Sequence, residues 1–462
     1  MTGTARRALI GAVALLLFGC GTNPPTSKIS TRAEAEPARP AFAPRERSKK
    51  LPPGTPVTFE SELEEVQAAR QLRLRAPVVG RTISRDVLVR HLEEGFHADL
   101  PTAAIDGAGE LLIAFGAAPL DFNYEAAVLA LLRRDLAGLY DPRLGAMFLR
   151  EELDGEARRA ALLHELVHAL QDQHYGLRDI TQYREDGGDR TSALSCLAEG
   201  DATSAMFDSL LAPHGRTALD LPDELIAAQF ARAAEPSAGS DAAPALLRRS
   251  VLAPYVDGLA FVQALRRRGG FAEVDRVWKN PPTTTEQVLH LDKYDSHEPA
   301  RDVPLPRPPV HQTGQADFEI VFHDVCGEQS VRLLLEEWMT TAAAARAAQG
   351  WGGDRVAVFA RGNERAVGWI LESDDAPSAE ALFAALGRAL GDSARRWGPA
   401  VEPTICRIRT DRGPFAVGHR AKRVVVVAGP RAKNGPAATR GTTSTPSCSA
   451  AHGWITTLLD QP

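Results

Sequence analysis

Two histidines and a glutamate with metal-binding spacing stand in the segment His164-Glu165-Leu166-Val167-His168. Residues four apart lie on one face of an α-helix, so both imidazoles can reach the same ion. Glu165 points beside that ion, where its carboxylate can take a proton from a zinc-activated water molecule. The pattern therefore indicates a hydrolytic site with one zinc ion per chain, His164 and His168 as ligands and Glu165 as general base.

A catalytic zinc ion takes three protein ligands and leaves one position open, and two residues compete for the third place. His174 lies six residues after His168. This spacing resembles that of metzincins, whose arrangement relies on a glycine three residues after the second histidine. The residue here is Gln171, whose Cβ disfavours the turn. Glu199 stands among apolar residues of a predicted helix, where a buried carboxylate needs a partner. We expect Glu199 to be the third ligand, with His174 as the alternative.

Other polar residues are candidates for supporting roles around the metal. His290 and Tyr294 belong to a polar segment and are candidate donors to the oxyanion that forms during hydrolysis. Asp201, two residues after Glu199, is a candidate acceptor for the second ring nitrogen of a ligand histidine, and Asp172 is the alternative.

The apolar periodicity around these residues predicts an α+β fold. Residues 59–310 read as a mainly helical domain with a small sheet, including helices at 156–173 and 192–211 and a strand at 146–150. We expect that strand to lie along the cleft and to pair with an extended substrate. Residues 311–431 read as a smaller α/β part, with strands at 356–359, 366–371 and 423–427 around a helix at 378–390, and residues 432–462 as a loosely ordered tail.

The N-terminus has the features of an export signal. Arg6 and Arg7 precede an apolar run that ends at Gly19 and Cys20, and the run is too short to span a bilayer. Residues 17–20 resemble a bacterial lipobox, which implies that residues 1–20 are a lipoprotein signal peptide and that lipidated Cys20 anchors the chain to a membrane. Residues 21–58 read as a Pro-rich flexible tether. We expect a cell-envelope lipoprotein, in the outer membrane if the cell is Gram-negative.

Composition bears on which partners the chain can bind, and cysteine content bears on which disulfides it can form. The formal net charge is -6 and the chain has no long Lys/Arg run, so we do not expect it to bind nucleic acid. Besides Cys20 there are four cysteines, Cys196, Cys326, Cys406 and Cys448, in a compartment that permits disulfides. Their pairing cannot be deduced from spacing, and a buried unpaired Cys196 is equally compatible.

Several segments together resemble a family of bacterial exported HExxH metallopeptidases of gluzincin type. They are HELVHALQDQ at 164–173, AEGDA at 198–202, and residues 138–142, 255–261, 281–290 and 350–355. The resemblance implies a zincin-like domain, zinc on His164, His168 and Glu199, a catalytic Glu165 and a peptide or protein substrate. Leu291 replaces a proline of the family, which should alter only a local turn.

Two other functions are compatible with the same residues. One is a lipoprotein that keeps zinc, or only the fold, for binding or structure. An intact Glu165 argues against it, because a site that needs only metal affinity has no use for that carboxylate. The other is a zinc hydrolase that acts on a non-peptide amide.

Overall fold

A computed structural model describes residues 50–180, 183–222, 225, 228, 243–309, 317–391, 394–397, 403–409, 411–433 and 447–462. The predicted signal peptide with Cys20, and the predicted tether up to residue 49, lie outside the described residues. Among the helices that are described, none has both the length and the apolar character needed to span a membrane.

The part of the chain before residue 310 is mainly helical. Its helices are α1 (Glu60–Arg70), α2 (Arg85–Asp99), α3 (Thr102–Phe115), α4 (Tyr124–Asp135), α5 (Gly155–Tyr175), α6 (Leu177–Ile180), α7 (Gly188–Leu211), α8 (Ala245–Lys279), α9 (Thr285–Leu289) and α10 (Leu291–Asp295). Its strands are β1 (Thr55–Pro56), β2 (Val79–Ile83), β3 (Gly138–Asp141) and β4 (Ala146–Arg150). They form a mixed sheet in the order β1-β2-β4-β3, in which only β2 and β4 are parallel.

Helix α5 carries the two histidines and is surrounded by core on most of its length. Leu163, Leu166, Val167 and Leu170 are all fully buried. The helix ends at Gly176, whose φ of +78° is a left-handed conformation that glycine adopts without a Cβ clash. Its central position explains why apolar residues occur on more than one face of the predicted helix.

Helices α7 and α8 cross at two glycines. A Cβ on Gly200 would lie 2.1 Å from the carbonyl oxygen of Gly258, and a Cβ on Gly258 would lie 2.0 Å from that of Cys196. The two backbones therefore touch directly, which only glycine allows. Because Glu199 precedes Gly200, this crossing sets the position of the predicted third ligand.

The part of the chain from residue 317 is built on a seven-stranded antiparallel sheet, in the order β5-β6-β7-β11-β10-β9-β8. The strands are β5 (Glu319–Asp324), β6 (Trp351–Arg361), β7 (Glu364–Ser373), β8 (Arg395–Trp397), β9 (Thr404–Arg409), β10 (Gly413–Arg420) and β11 (Arg423–Ala432). Helices α11 (Gly327–Leu335), α12 (Thr341–Ala348) and α13 (Ala376–Ala389) pack on one face and α14 (Cys448–Leu459) on the other. The predicted α+β class is confirmed.

The prediction of a loosely ordered tail at 432–462 is wrong for about its second half. Residues 448–459 form α14, whose Trp454, Ile455 and Leu458 are buried against the sheet. A disulfide from Cys448 to Cys406 of β9 attaches the start of this helix, whereas Cys196 and Cys326 are free thiols. The preceding Gly, Thr and Ser residues had suggested disorder, but the apolar residues that follow recur at helical spacing.

The expectation that the strand at 146–150 pairs with a substrate is also wrong. The strand exists with the predicted bounds, but as β4 it lies between β2 and β3, so both of its edges are already hydrogen-bonded. Strand β3 is the edge of the sheet on this side. The order of strands depends on long-range pairing, which the local pattern does not contain.

Candidate metal centre

Helices α5 and α7 bring His164, His168 and Glu199 together. The Nε2 atom of His168 lies 3.0 Å from Nε2 of His164, and Oε2 of Glu199 lies 3.1 Å and 3.5 Å from Nε2 of His164 and His168. The three side chains are buried, and His164, at 6% exposed, is the most accessible of them. The cluster is therefore an enclosed group of ligand atoms that can hold a metal ion.

The spacing of these atoms fits a tetrahedral ion. Ligands about 2.05 Å from zinc at the tetrahedral angle are separated by about 3.3 Å, close to the three observed distances. The other carboxylate oxygen of Glu199, Oε1, is buried and has no hydrogen-bond partner among the described residues, and the same holds for Oε1 of Glu165. Buried carboxylate oxygens are costly to leave unpaired, which is the situation that a bound cation relieves.

The electrostatics of the cluster also favour a cation. Burial alone would raise the pKa of Glu199, but the charges of His168 and His164 and their hydrogen bonds lower it to about 2. Burial raises the pKa of Glu165 to about 8. Burial lowers the pKa of His168, yet the attraction of Glu199 and Glu165 outweighs it and raises that pKa to about 9. The ionised carboxylate of Glu199 therefore favours positive charge at His168, whereas burial lowers the pKa of His164.

Gln171 determines which nitrogen of His168 faces the cluster. The Nε2 group of Gln171 donates to the carbonyl oxygen of Ala198 at 3.0 Å and to Oδ2 of Asp201 at 3.1 Å. Its Oε1 must then be the acceptor toward Nδ1 of His168, 2.8 Å away. Nδ1 therefore carries a proton in either charge state of the ring, and Nε2 is the nitrogen that would give up its proton to bind a metal ion.

Asp201 is held in turn by two buried side chains. Arg70 of α1 forms an ion pair with its Oδ1 at 2.6 Å, and the indole N–H of Trp278 donates to its Oδ2 at 2.9 Å. Asp201 was predicted to accept directly from a ligand histidine. It contacts Gln171 instead, and Gln171 in turn accepts from His168.

The proposed base, Glu165, contacts the edge strand of the small sheet. The backbone N–H of Tyr140 in β3 donates to Oε2 of Glu165 at 2.7 Å. A Cβ on Gly138 would lie 3.1 Å from Cγ of Glu165 and 2.9 Å from Leu149, so the strand approaches the carboxylate closely. The hydrogen bond from Tyr140 therefore holds Oε2 of Glu165, whereas Oε1 has no hydrogen-bond partner among the described residues.

Tyr255 of α8 packs on the first ligand. Its ring lies 6.1 Å from that of His164, at an angle of 28° between the ring planes, and the residue is 1% exposed. This stacking restrains the imidazole plane of His164. Sequence reasoning missed the roles of Gln171, Tyr140 and Tyr255. Only Gln171 gave a local signal, since residues three apart on a helix are neighbours.

The other predicted site residues lie in different contacts. His174 is at the end of α5, where its Nε2 meets the carbonyl oxygen of Arg73, so it does not join His164 and His168. Nε2 of His290 lies 2.9 Å from Glu328, and the hydroxyl of Tyr294 donates to the carbonyl oxygen of Asn280. Asp172 accepts from the hydroxyl of Tyr140 and from the N–H of Leu177.

Among the described residues, His290 and Tyr294 are bonded to partners outside the cluster, so their role as oxyanion donors stays a prediction. His174 lies outside the group of ligand atoms formed by His164, His168 and Glu199, and Asp172 is hydrogen-bonded to Tyr140 and Leu177.

Two more groups of possible ligands occur within the described parts of the chain. Glu286, Glu298 and Asp374 surround the ammonium group of Lys293, which occupies the place of a cation. Glu93, His97 and Glu125 lie at the surface, where such groups are common without a metal. The buried cluster on α5 and α7 is the stronger metal site.

Comparison with known proteins adds one match. Residues 317–438 match a family described as a domain of unknown function (DUF8575). The matched region contains β5 to β11 and α11 to α13, and therefore excludes the metal cluster. No curated protein and no solved structure matches the chain.

Proposed function

We propose that this protein is a zinc-dependent peptidase that acts at the cell envelope, where lipidated Cys20 would attach it to a membrane. One observation carries the proposal: His164, His168 and Glu199 converge from two helices, and the carboxyl group of Glu165 is close enough to interact electrostatically with His168 and Glu199. Two histidines and a glutamate form a ligand set of catalytic zinc sites.

The chain's own residues can perform the proton transfers of peptide hydrolysis. A zinc ion held by the three ligands would polarise the attacking water and the scissile carbonyl. Glu165 takes the proton from the water as its oxygen bonds to the carbonyl carbon, and delivers it to the amine nitrogen as the C–N bond breaks. The N–H of Tyr140 keeps the Glu165 carboxylate in place during both transfers.

A structural zinc site is the second candidate, and the burial of the cluster favours it. Glu165, His168 and Glu199 are 0% exposed, so a substrate can reach them only if covering residues move. Structural sites are closed, whereas catalytic sites keep an open position. Against this candidate stands Glu165, because a buried carboxylate that binds neither the metal nor a cation only adds a desolvation cost.

The deciding experiment combines metal content with peptide cleavage, on the soluble form that begins after Cys20. Wild type should contain about one zinc ion per chain and cleave members of a peptide library. Glu165→Gln should keep the metal and lower cleavage by at least about a thousandfold, since the amide cannot take a proton. Glu199→Ala should lose the metal, and His174→Ala, on the same helix, should keep both metal and activity.

The outcomes separate the alternatives. Stoichiometric zinc with no cleavage of any peptide, and equal thermal stability of wild type and Glu165→Gln, would identify a structural site. Cleavage of small acyl-arylamides without cleavage of peptides would identify a hydrolase of non-peptide amides. A folded wild type that binds no zinc would refute the proposal.

A further inference from the structure

A cavity of about 390 Å³ lies in the second part of the chain, away from the metal cluster. It is formed by the C-terminal ends of α3 and α13 and by the hairpin of β9 and β10. Its volume falls within the range of sites that bind small ligands. The proposed peptidase reaction has no use for it.

Positive charge is concentrated in this cavity. Arg407, Arg409 and Arg412 line it, and Asp411 is the one acidic side chain in the lining, so the net charge of the charged lining residues is +3 - 1 = +2. Burial and the neighbouring charge of Arg412 lower the pKa of Arg409 to about 10. The Nε group of Arg409 is buried without an acceptor among the described residues. The three arginines therefore form a cluster of positive charge that a bound anion would neutralise.

The arginines already cap two helices. Arg409 and Arg412 donate to carbonyl oxygens at the end of α3, including those of Ala114 at 2.6 Å and Ile113 at 2.9 Å, and Arg407 donates to that of Leu390 after α13. These carbonyls form the negative ends of the helix dipoles. Each guanidinium has five N–H donors, so donors remain for a ligand. The helix ends offset part of the positive charge, which favours a singly charged anion over a doubly charged one.

The uncharged part of the cavity wall contains three aromatic side chains beside glycine and aliphatic residues. Phe115, Trp338 and Phe415 line it, and the guanidinium of Arg409 lies over the ring of Phe415, 4.9 Å from its centre. Aromatic faces bind apolar groups and stabilise cations placed above them. A ligand that fits both features has one negative end and one apolar end.

We propose that this cavity binds a monocarboxylate that carries an apolar, preferably aromatic, group. The carboxylate pairs with the guanidinium groups of Arg407 and Arg409, and the apolar group packs on Trp338 and Phe415.

The probe for this site is N-acetylphenylalanine, with its uncharged amide as the matched control, titrated into the zinc-loaded protein and followed by calorimetry. The acid should bind about tenfold or more tightly than the amide, because each charge-assisted hydrogen bond contributes more than a neutral one. Arg407→Gln should weaken binding of the acid by about tenfold. Arg407 is exposed, so this variant should fold, which circular dichroism checks. Arg346→Gln, which removes an exposed arginine of α12, should have no effect.

Three outcomes would overturn the inference. Equal binding of the acid and the amide would show that the cavity does not recognise the carboxylate group. Tighter binding of inorganic phosphate or phenyl phosphate than of the acid would show that the cavity takes a different class of anion. Binding that survives Arg407→Gln but disappears in His164→Ala would place the ligand at the metal cluster.

Discussion

At the scale of single residues, the candidate metal site depends on side chains outside the group of His164, His168 and Glu199. Gln171 accepts the Nδ1 proton of His168, and its own amide group is oriented by Ala198 and Asp201. A ligand histidine in the wrong tautomer would present a proton instead of a lone pair. The orientation of one amide therefore contributes directly to metal affinity.

Gln171→Leu should weaken zinc binding by about ten- to a hundredfold, because His168 loses the acceptor that sets its tautomer. Competition with a chelator of known affinity measures this change. Gln173→Leu is the matched control, since Gln173 lies on the same helix but contacts the segment around Arg75 and Ala76. Equal zinc affinity in wild type and Gln171→Leu would contradict the role assigned to Gln171.

At the scale of elements, the site depends on how α7 crosses α8. Gly200 and Gly258 let the two backbones touch, and the same crossing brings both Glu199 and Tyr255 against His164. Helix α7 thus supplies the third ligand, and α8 supplies the ring that packs on the first. The glycines are structural requirements of the site, although they carry no chemistry.

Gly258→Ala should destabilise the protein by about 3 kcal/mol, since the new Cβ would overlap the carbonyl of Cys196 and the backbones cannot relax apart without moving Glu199. Gly453→Ala is the control. Gly453 is an exposed glycine of α14 with no atom within 4 Å of its would-be Cβ, so alanine there should stabilise by up to about 1 kcal/mol. Urea unfolding of the metal-free proteins compares them, and similar stabilities for both variants would be incompatible with a tight crossing.

At the scale of the whole molecule, the two parts of the chain form a continuous structure around the metal helices. From the second part, Gln329 and Arg332 of α11 bond to Asp257 of α8. At the start of α7, Asp189 accepts from the N–H and the hydroxyl of Thr285. The second part therefore contacts α8 through Gln329 and Arg332, and it contacts α7 where the backbone N–H of Asp189 donates to the carbonyl oxygen of Val325 at 2.9 Å.

This junction should make stability depend on pH through Asp189. Burial raises the pKa of Asp189 to about 7, well above the value of about 3.9 for an unfolded aspartate. Because the folded state holds the proton more tightly, the stabilisation is complete below about pH 4 and is lost as the pH rises through 7. Asp189→Asn cannot ionise and should lack this component.

Unfolding of the zinc-loaded proteins in urea at pH 5 and pH 8 measures the effect. Relative to Asp189→Asn, wild type should lose more than about 1 kcal/mol of stability between the two pH values. If wild type and the variant show parallel pH dependence, Asp189 is already ionised in the folded protein.

The amino-acid sequence by itself determined the chemistry that depends on neighbours along the chain. The spacing of His164 and His168 predicted one helix face and hence a shared ligand group, and the two helices and the one strand predicted near the site have ends within four residues of the predicted bounds. Periodicity is a local property, so a single sequence contains it.

The tertiary structure decided everything that depends on residues brought together from afar. It placed Glu199 rather than His174 beside the histidines, inserted Gln171 between His168 and Asp201, and put β3 rather than β4 at the edge of the sheet. It also directed His290 and Tyr294 to other partners. The physical reason is that helix crossings and strand order follow from close packing between distant segments, and no local spacing encodes which surfaces will meet.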